Sequence, residues 1–218
     1  MNPTQPNTFP LTNLHKPLIV DVDEVLLDWT FGGFKPHFET ITGKTLCEKG
    51  NTHWDMSDWL GLSYQDMLEH IQNFNRSDRF AQLPPFLCAQ KILPKIAQTG
   101  RAIHVVTSCA DDLDTQRRRR RNLETSFGDI FTSITSLGLH ATKKSVLADL
   151  AHRAGHTGFW VEDNVKNAHM GLDIGHTTFV MRRSHNRLDE ANCNLPTLNW
   201  VDTWFEIAPH LLEKETTP

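Results

Sequence analysis

Acidic residues directly follow a short apolar stretch near the start of the chain. In LIVDVDE, residues 18–24, Asp21, Asp23 and Glu24 come after three apolar residues. Where a strand passes into a loop, alternate residues can point to the same side, which would bring Asp21 and Asp23 together. Two such carboxylates repel each other unless a cation neutralises them. Because Mg²⁺ prefers oxygen ligands and needs only one or two protein carboxylates, the stretch predicts a Mg²⁺ site.

Two later apolar runs also end in polar residues that suit such a site. The sequence FWVEDN places Glu162 and Asp163 directly after an apolar run, and AIHVVTS ends in Thr107 and Ser108. Hydroxyl groups and backbone amides at the start of a helix can bind phosphate oxygens. If the strands are parallel, all of these side chains lie at one edge of the sheet, where α/β proteins bind their ligands.

Basic residues occur in two clusters with different predicted roles. Lys143 and Lys144 open a helical pattern, where one lysine could neutralise a phosphoryl group. The run RRRRR, residues 117–121, could contact a polynucleotide, but five consecutive residues surround a helix instead of forming one stripe. Nearby acids at helical spacing can neutralise several of these arginines. We therefore favour a solvated or ion-paired helix over a nucleic-acid contact.

Apolar runs rich in β-formers alternate with helical patterns over most of the chain. Strands are predicted at Leu18–Val22, Ala102–Thr107, Gly158–Val161 and Thr177–Met181, with a weaker run at Ile130–Thr135. Helices are predicted at Cys88–Gln98, Asp111–Phe127, Thr142–Arg153, Val165–Leu172 and Trp200–Leu212. This alternation predicts an α/β fold, with a three-layer, Rossmann-like parallel sheet covered by helices on both faces.

One segment interrupts the alternation and divides the chain. Residues 32–86 contain a helical stretch at Ser63–Phe74 and end at a Pro-Pro pair, which predicts an inserted helical cap. Residues 17–31 and 87–218 would form the α/β core, and residues 1–16, rich in Asn, Pro and Thr, a flexible leader. The aromatic residues of the insert are expected to pack in its core more often than to stack on a ligand; they are Trp54, Trp59, Tyr64 and Phe74.

Composition limits the partners and the compartment. A net charge of -4 over 218 residues gives no general attraction to nucleic acid or to anionic membranes. No apolar run approaches the length of a membrane span. The four cysteines are scattered without C-x-x-C spacing, which fits reduced thiols in the cytoplasm. We expect no membrane partner, and we favour a small phosphorylated substrate over nucleic acid.

The order of these features resembles the haloacid dehalogenase (HAD) superfamily, most of whose members are Mg²⁺-dependent phosphohydrolases. Its four motifs match DVDEV at 21–25, the strand ending in Thr107 and Ser108, Lys143, and EDNVKN at 162–167. The segments DVDEVLLDW, THWDMSDWLGLS and TSCADD look most like the 5′-nucleotidase and deoxyribonucleotidase branch. The resemblance implies a HAD-like core with a small helical cap inserted after the first strand.

The resemblance also implies roles for the acidic residues. Asp21 would be the nucleophile that attacks phosphorus and forms an aspartyl-phosphate. Asp23 would protonate the leaving oxygen and then activate water. Mg²⁺ would be held by Asp21, by the backbone carbonyl of Asp23 and by Asp163.

The remaining motif residues would act on the phosphoryl group. By the same resemblance, Thr107 and Ser108 would bind its oxygens, and Lys143 would contact both the nucleophile and the phosphoryl group. Lys144 competes for this role, and Lys143 is preferred because Leu147 completes the common K-x-x-x-L spacing.

Two positions depart from the superfamily pattern. Glu24 stands where glycine is common, which adds a negative charge near the metal and makes the loop less free. Asn167 stands where many members have a second acid, so it could hydrogen-bond to metal-bound water or to Lys143 without adding charge.

The expected activity is Mg²⁺-dependent hydrolysis of a small phosphomonoester, with a nucleoside monophosphate as one candidate. Two other interpretations remain open. A metal-independent dehalogenase would use the same aspartate, but it would leave Asp23 and Asp163 without a clear role. A non-catalytic protein associated with nucleic acid would use the arginine run instead.

Overall fold

Six strands of the described chain form one parallel sheet. The structure is a computed structural model of the 218-residue chain, and it describes residues 16–192 and 198–212. The strands follow the order β3-β2-β1-β4-β5-β6 across the sheet. They are β1 (Leu18–Val20), β2 (Ile103–Ser108), β3 (Ser133–Leu137), β4 (Phe159–Glu162), β5 (Thr177–Met181) and β6 (Asn199–Val201). This arrangement confirms the predicted α/β class with a Rossmann-like parallel sheet.

Helices connect the strands and form the insert. In the described residues they are α1 (Lys35–Thr42), α2 (Ser57–Leu60), α3 (Tyr64–Asn75), α4 (Leu87–Gln98), α5 (Leu113–Phe127), α6 (Lys144–Ala154), α7 (Val165–Ile174), α8 (Arg187–Asn192) and α9 (Trp204–Leu212). A π-helix at Thr30–Phe34 and 3₁₀ turns at Asp78–Gln82 and Ser184–Asn186 complete the helical structure.

The alternation of side chains along β1 produces the three layers. Leu18 and Val20 belong to a core shared with α4, α5 and α9, whereas Ile19 belongs to a core shared with α6. All three side chains are fully buried. Because successive residues of a strand point to opposite faces, an uninterrupted apolar run is what a strand covered on both sides requires.

The position of β1 locates the ligand-binding edge. It pairs with β2 on one side and β4 on the other, with Leu18 opposite both Ile103 and Phe159. The chain winds from β1 to β3 in one direction and from β4 to β6 in the other. The order therefore reverses between β1 and β4, and ligands of such sheets bind beyond the carboxyl ends of the strands at this point.

Two predicted elements differ from the structure. The weaker run at Ile130–Thr135 begins too early, since the strand is β3 at Ser133–Leu137. The predicted helix Trp200–Leu212 is wrong at its start, because Trp200 and Val201 belong to β6 and pair beside β5. Glu206 accepts a hydrogen bond from the Thr203 amide at 2.9 Å, and this cap begins the helix after the strand has ended.

The predicted insert is helical and shares a hydrophobic cluster with the sheet. Its longest helix, α3, begins after Ser63, whose hydroxyl caps the amide of Asp66. Phe34, Phe74 and Phe80 are fully buried in the same hydrophobic cluster as β1. The division of the chain at residues 32–86 stays a prediction, and the predicted leader lies outside the described residues except for Lys16.

Membrane-spanning helices are not found in residues 16–192 and 198–212. None of the helices there combines the length and apolar character that crossing a bilayer requires.

Candidate active site

The predicted acidic strand ends meet at the reversal of the sheet. Asp21 directly follows β1, and its amide donates a 3.0 Å hydrogen bond to the carbonyl of Val161 in β4. Glu162 is the last residue of β4, and Asp163 follows it. The β1–β4 register therefore places the two acidic ends side by side.

Three buried carboxylates form a cluster there. One oxygen each from Asp21, Glu162 and Asp163 lies within 4.8 Å of the others. The three residues are at most 6% exposed. Asp21 and Asp163 were the predicted side-chain ligands of Mg²⁺, and the structure brings them together. Glu162 was predicted to lie at this edge of the sheet together with Asp163, but it was not among the predicted metal ligands.

Lys143 provides the positive charge in the cluster. Its Nζ atom lies 2.8 Å from Asp21 Oδ1 and 2.9 Å from Glu162 Oε2. Burial opposes the charge of the ammonium, but Asp21 and Glu162 outweigh this effect and hold the Lys143 pKa above its usual range. Lys144 points elsewhere and pairs with exposed Asp173 at 2.7 Å. Of the two competing lysines, Lys143 therefore lies in the site.

One lysine does not balance three buried carboxylates. Burial, with a further contribution from the negative charge of Asp21, raises the pKa of Asp163 to about 7. The same two causes raise the pKa of Glu162 well above its usual range. A divalent cation would relieve this repulsion, and the donors are the hard oxygen ligands that Mg²⁺ prefers. The residues present therefore fit a Mg²⁺ ion.

This repulsion predicts a pH-dependent stability in the absence of divalent cations. Asp163 binds its proton more tightly in the folded protein, at about 7, than in the unfolded chain, at an ordinary 3.8. The resulting stabilisation is complete below pH 3.8 and is lost as the pH rises through about 7. Urea unfolding in EDTA should therefore show the native protein losing stability relative to Asp163→Asn over this range. A constant difference between the two proteins would contradict the prediction.

Magnesium should stabilise the native protein through the same cluster. At a Mg²⁺ concentration 100 times the dissociation constant, binding adds about 2.7 kcal/mol to the free energy of unfolding. We expect a rise in the thermal midpoint that Asp163→Asn largely abolishes and that the exposed substitution Asp202→Asn leaves intact. An equal rise in all three proteins would place the ion elsewhere.

Asp23 lies beside the cluster, but its carboxylate has a different partner. Both of its oxygens accept hydrogen bonds from Nη2 of Arg119, at 2.5 and 2.7 Å. Burial raises the pKa of Asp23 to about 6, although the charge of Arg119 opposes this shift. The side chain of Asp23 therefore faces Arg119 and the cavity, and a role for its backbone carbonyl at the metal stays a prediction.

The predicted phosphate-binding residues lie at the end of β2. The Thr107 hydroxyl is buried and has no hydrogen-bond partner. Ser108 lines the cavity beside the acidic cluster. Buried hydroxyl groups are rarely left unpaired, so the Thr107 hydroxyl is available to a ligand, and its contact with phosphate stays a prediction. The following helix, α5, is capped by Asp112, which accepts a hydrogen bond from the Thr115 amide at 2.8 Å.

Glu24 and Asn167, which depart from the pattern that the chain resembles, both have defined contacts in the structure. Glu24 has a φ of 60°, which is unique among the described non-glycine residues and explains why glycine suits this position. Its carboxylate accepts a 2.7 Å hydrogen bond from the Thr30 amide, and its carbonyl accepts one from Arg183, also at 2.7 Å. Burial raises the Glu24 pKa to about 7, against the opposing charge of Arg183. Asn167 donates to Glu162 at 3.3 Å and not to Lys143.

Sequence analysis missed His185 as a site residue. Its Nε2 atom lies 3.0 Å from Asp163 Oδ2. The neighbouring Asn186 donates hydrogen bonds to the carbonyls of Asp163 and Met181, at 2.7 and 2.8 Å. His185 shows no metal-ligand spacing with another histidine along the sequence, so no local pattern pointed to it. The available signal was the position of His185 shortly after β5, at the same sheet edge.

A cavity of about 450 Å³ connects the acidic cluster with the insert. Trp54 and Tyr64 line this cavity and are 61% and 54% exposed, so neither is a core residue. Trp59 is partly buried against the hydrophobic core, and Phe74 is fully buried in it. The cavity thus has a charged end at the sheet and an aromatic end at the insert.

The fold is similar to that of haloacid dehalogenase-like hydrolases, several of which are among the similar solved structures. A haloacid dehalogenase-like hydrolase from Streptococcus pneumoniae matches 90% of this chain and 98% of its own, with 14% identity and a TM-score of 0.64. No family model and no curated protein sequence matches the chain.

Two further structures differ in their chemistry. A D,D-heptose 1.7-bisphosphate phosphatase from B. bronchiseptica, complexed with magnesium and phosphate, matches 91% of this chain and 98% of its own, with 12% identity and a TM-score of 0.59. A dehalogenase matches 94% of this chain and 100% of its own, with 14% identity and a TM-score of 0.60. These likenesses show the fold, and the two chemistries must be distinguished at the site.

Proposed function

We propose that the protein is a Mg²⁺-dependent phosphomonoesterase that works through an aspartyl-phosphate on Asp21. The main support is the buried cluster of Asp21, Glu162 and Asp163, with Lys143 2.8 Å from the first of them. The similarity to a phosphatase that holds magnesium and phosphate is consistent with this proposal. A bound Mg²⁺ ion would supply positive charge that stabilises the transferring phosphoryl group.

Five residues of the site have a chemical task in this proposal. Asp21 attacks phosphorus while Lys143 and the Thr107 hydroxyl bind the phosphoryl oxygens, and Ser108 assists at the strand end. Asp23 gives its proton to the leaving oxygen as the ester bond breaks. It then takes a proton from the water that attacks phosphorus and frees Asp21, which releases inorganic phosphate.

We propose a nucleoside monophosphate as the substrate, as in the 5′-nucleotidase branch. Trp54 and Tyr64 are exposed toward the cavity, where an aromatic ring can stack on a nucleobase. The insert at residues 32–86 would act as the cap that closes over the substrate and excludes water.

A panel of phosphorylated metabolites tests this proposal. The panel includes 5′- and 3′-nucleotides, sugar phosphates and p-nitrophenyl phosphate, each assayed for phosphate release with Mg²⁺ and with EDTA. We expect the native protein to hydrolyse at least one member, and EDTA to abolish the release. Absence of phosphate release from every member would refute the proposed function. Hydrolysis limited to non-nucleotides would refute the substrate alone.

The dehalogenase alternative predicts a different result. Release of halide from 2-haloacids that survives EDTA would support it. The site argues against this chemistry, because a metal-independent reaction gives the buried carboxylates of Glu162 and Asp163 no task.

The proposed location is the cytoplasm, and nucleic acid is not a proposed partner. Cys47, Cys88 and Cys109 are free thiols, as reducing compartments favour. Four arginines of the run at 117–121 have carboxylate partners within 4 Å, consistent with the predicted ion-paired helix.

A further inference from the structure

One residue of the arginine run enters the protein interior. Arg119 is fully buried, whereas Arg117 on the same helix is exposed and pairs with Asp114 at 3.0 Å. The run surrounds α5, so one position must face inward, and the partner that it meets there is Asp23. An arginine is almost never fully buried unless it is paired, so its place in the interior depends on this contact.

The guanidinium is held between Asp23 and an aromatic ring. Its Cζ atom lies 4.1 Å from the centroid of the Phe80 ring, in the 3₁₀ turn that ends the insert. The Nε and Nη1 atoms of Arg119 have no hydrogen-bond partner, so its directional bonds go to Asp23 alone. Asn122, one turn further along α5, donates a hydrogen bond to the Leu83 carbonyl at 3.0 Å. This bond ties the segment that follows the 3₁₀ turn to α5.

This arrangement leaves Asp23 free on its cavity side. Both carboxylate oxygens accept hydrogen bonds from the same Nη2 atom, and these bonds fix the orientation of the carboxylate. The Asp23 side chain is 25% exposed and lines the cavity that contains the acidic cluster. One side of the carboxylate is therefore anchored, and the other can reach a ligand.

We propose that Arg119 is a positioning residue that directs Asp23 toward the oxygen of the leaving group. The inference rests on the proposed function. In the first step, the Asp23 proton passes to the leaving oxygen as the P–O ester bond breaks and the bond from Asp21 to phosphorus forms. Arg119 touches neither substrate nor phosphorus, and it acts by holding the donor in place.

Two substrates with the same ring separate this role from a structural one. Phenyl phosphate and p-nitrophenyl phosphate differ only in the para nitro group, but the phenolate leaving group of the first is more basic and depends more on protonation by a general acid. We expect Arg119→Met to lower kcat/KM for phenyl phosphate by about 100-fold and for p-nitrophenyl phosphate by less than about 5-fold, because general acid catalysis contributes at least the larger factor.

Three further variants complete the design. Arg117→Met, the matched control on the same helix, should leave both kcat/KM values unchanged. Arg119→Lys keeps the positive charge. It should shift the ratio of the kcat/KM values for the two substrates in the same direction as Arg119→Met, but by a smaller factor. In an Asp23→Asn background, Arg119→Met should change kcat/KM for phenyl phosphate by less than about 3-fold. The effects of substitutions at two interacting residues do not add, and the proton donor that Arg119 positions is already absent.

The outcomes separate the two proposals. Equal losses on both substrates, or the full loss retained in the Asp23→Asn background, would overturn the role of Arg119. If circular dichroism shows that Arg119→Met is unfolded, the test is Arg119→Lys. An unchanged ratio of the two kcat/KM values in that variant would overturn the role of Arg119. Absence of phosphate release by the native protein from the whole metabolite panel refutes the proposed function itself, whereas an active native protein makes every variant result decisive for Arg119.

Discussion

We expect Asp21→Asn to abolish phosphate release. The loss in kcat should be on the order of 10³-fold or more, as for removal of other enzyme nucleophiles. An amide oxygen is a poor nucleophile and cannot form the aspartyl-phosphate. The measurement is kcat for the best substrate of the metabolite panel. Acid-quenched protein incubated with ³²P-labelled substrate should also retain label in the native chain and not in the variant.

The variant should remain folded, because the substitution removes one of three crowded carboxylates. Lys143 keeps Glu162 as a partner at 2.9 Å, so its buried ammonium stays paired. Asp28→Asn is the matched control from the same acidic stretch. Asp28 accepts a 2.9 Å hydrogen bond from the Phe31 amide, and an asparagine oxygen can replace it. Full activity in Asp21→Asn would show that another residue is the nucleophile.

Lys143→Met should lower both activity and stability. The substitution leaves the buried carboxylates of Asp21 and Glu162 without their cationic partner, and breaking a buried pair in this way costs about 3–5 kcal/mol. Phosphate release should fall by at least about 100-fold, because the phosphoryl charge also loses a stabilising group. Urea unfolding at pH 7 and steady-state kinetics measure the two effects.

The adjacent lysine provides the control for this change. Lys144 pairs with Asp173 at the surface, where solvent weakens the interaction, so Lys144→Met should change neither quantity measurably. Magnesium should restore part of the stability lost in Lys143→Met, since the ion replaces positive charge at the same carboxylates. Equal effects of the two lysine substitutions would contradict the assignment of Lys143 to the site.

Four of the six strands, β1, β2, β4 and β5, could be predicted from the sequence because they are largely apolar and buried. The stretch that ends at Val20 is uninterrupted and apolar, as a strand buried on both faces requires. The edge strand β6 was missed, because Trp200 and Val201 adjoin a helical pattern and their pairing with β5 is a long-range contact. Such pairing leaves no local periodicity in the sequence.

The sequence also predicted that the acidic residues after the first and fourth strands lie at the same edge of the sheet. Asp21 and Asp163 follow apolar runs, and parallel strands bring their carboxyl ends to one edge. The choice between Lys143 and Lys144 needed the structure, because adjacent residues at the start of a helix point in directions about 100° apart.

The sequence by itself determined the α/β class, the edge of the sheet that holds the acidic residues, and the residue types that suit a divalent cation and phosphate. These properties depend on local periodicity and on side-chain chemistry, which are present in any short stretch. Only the tertiary structure decided that Arg119 anchors Asp23, that His185 contacts Asp163 and that Glu24 occupies a left-handed position. These contacts join residues far apart in the chain or depend on one backbone angle, and no spacing along the sequence encodes them.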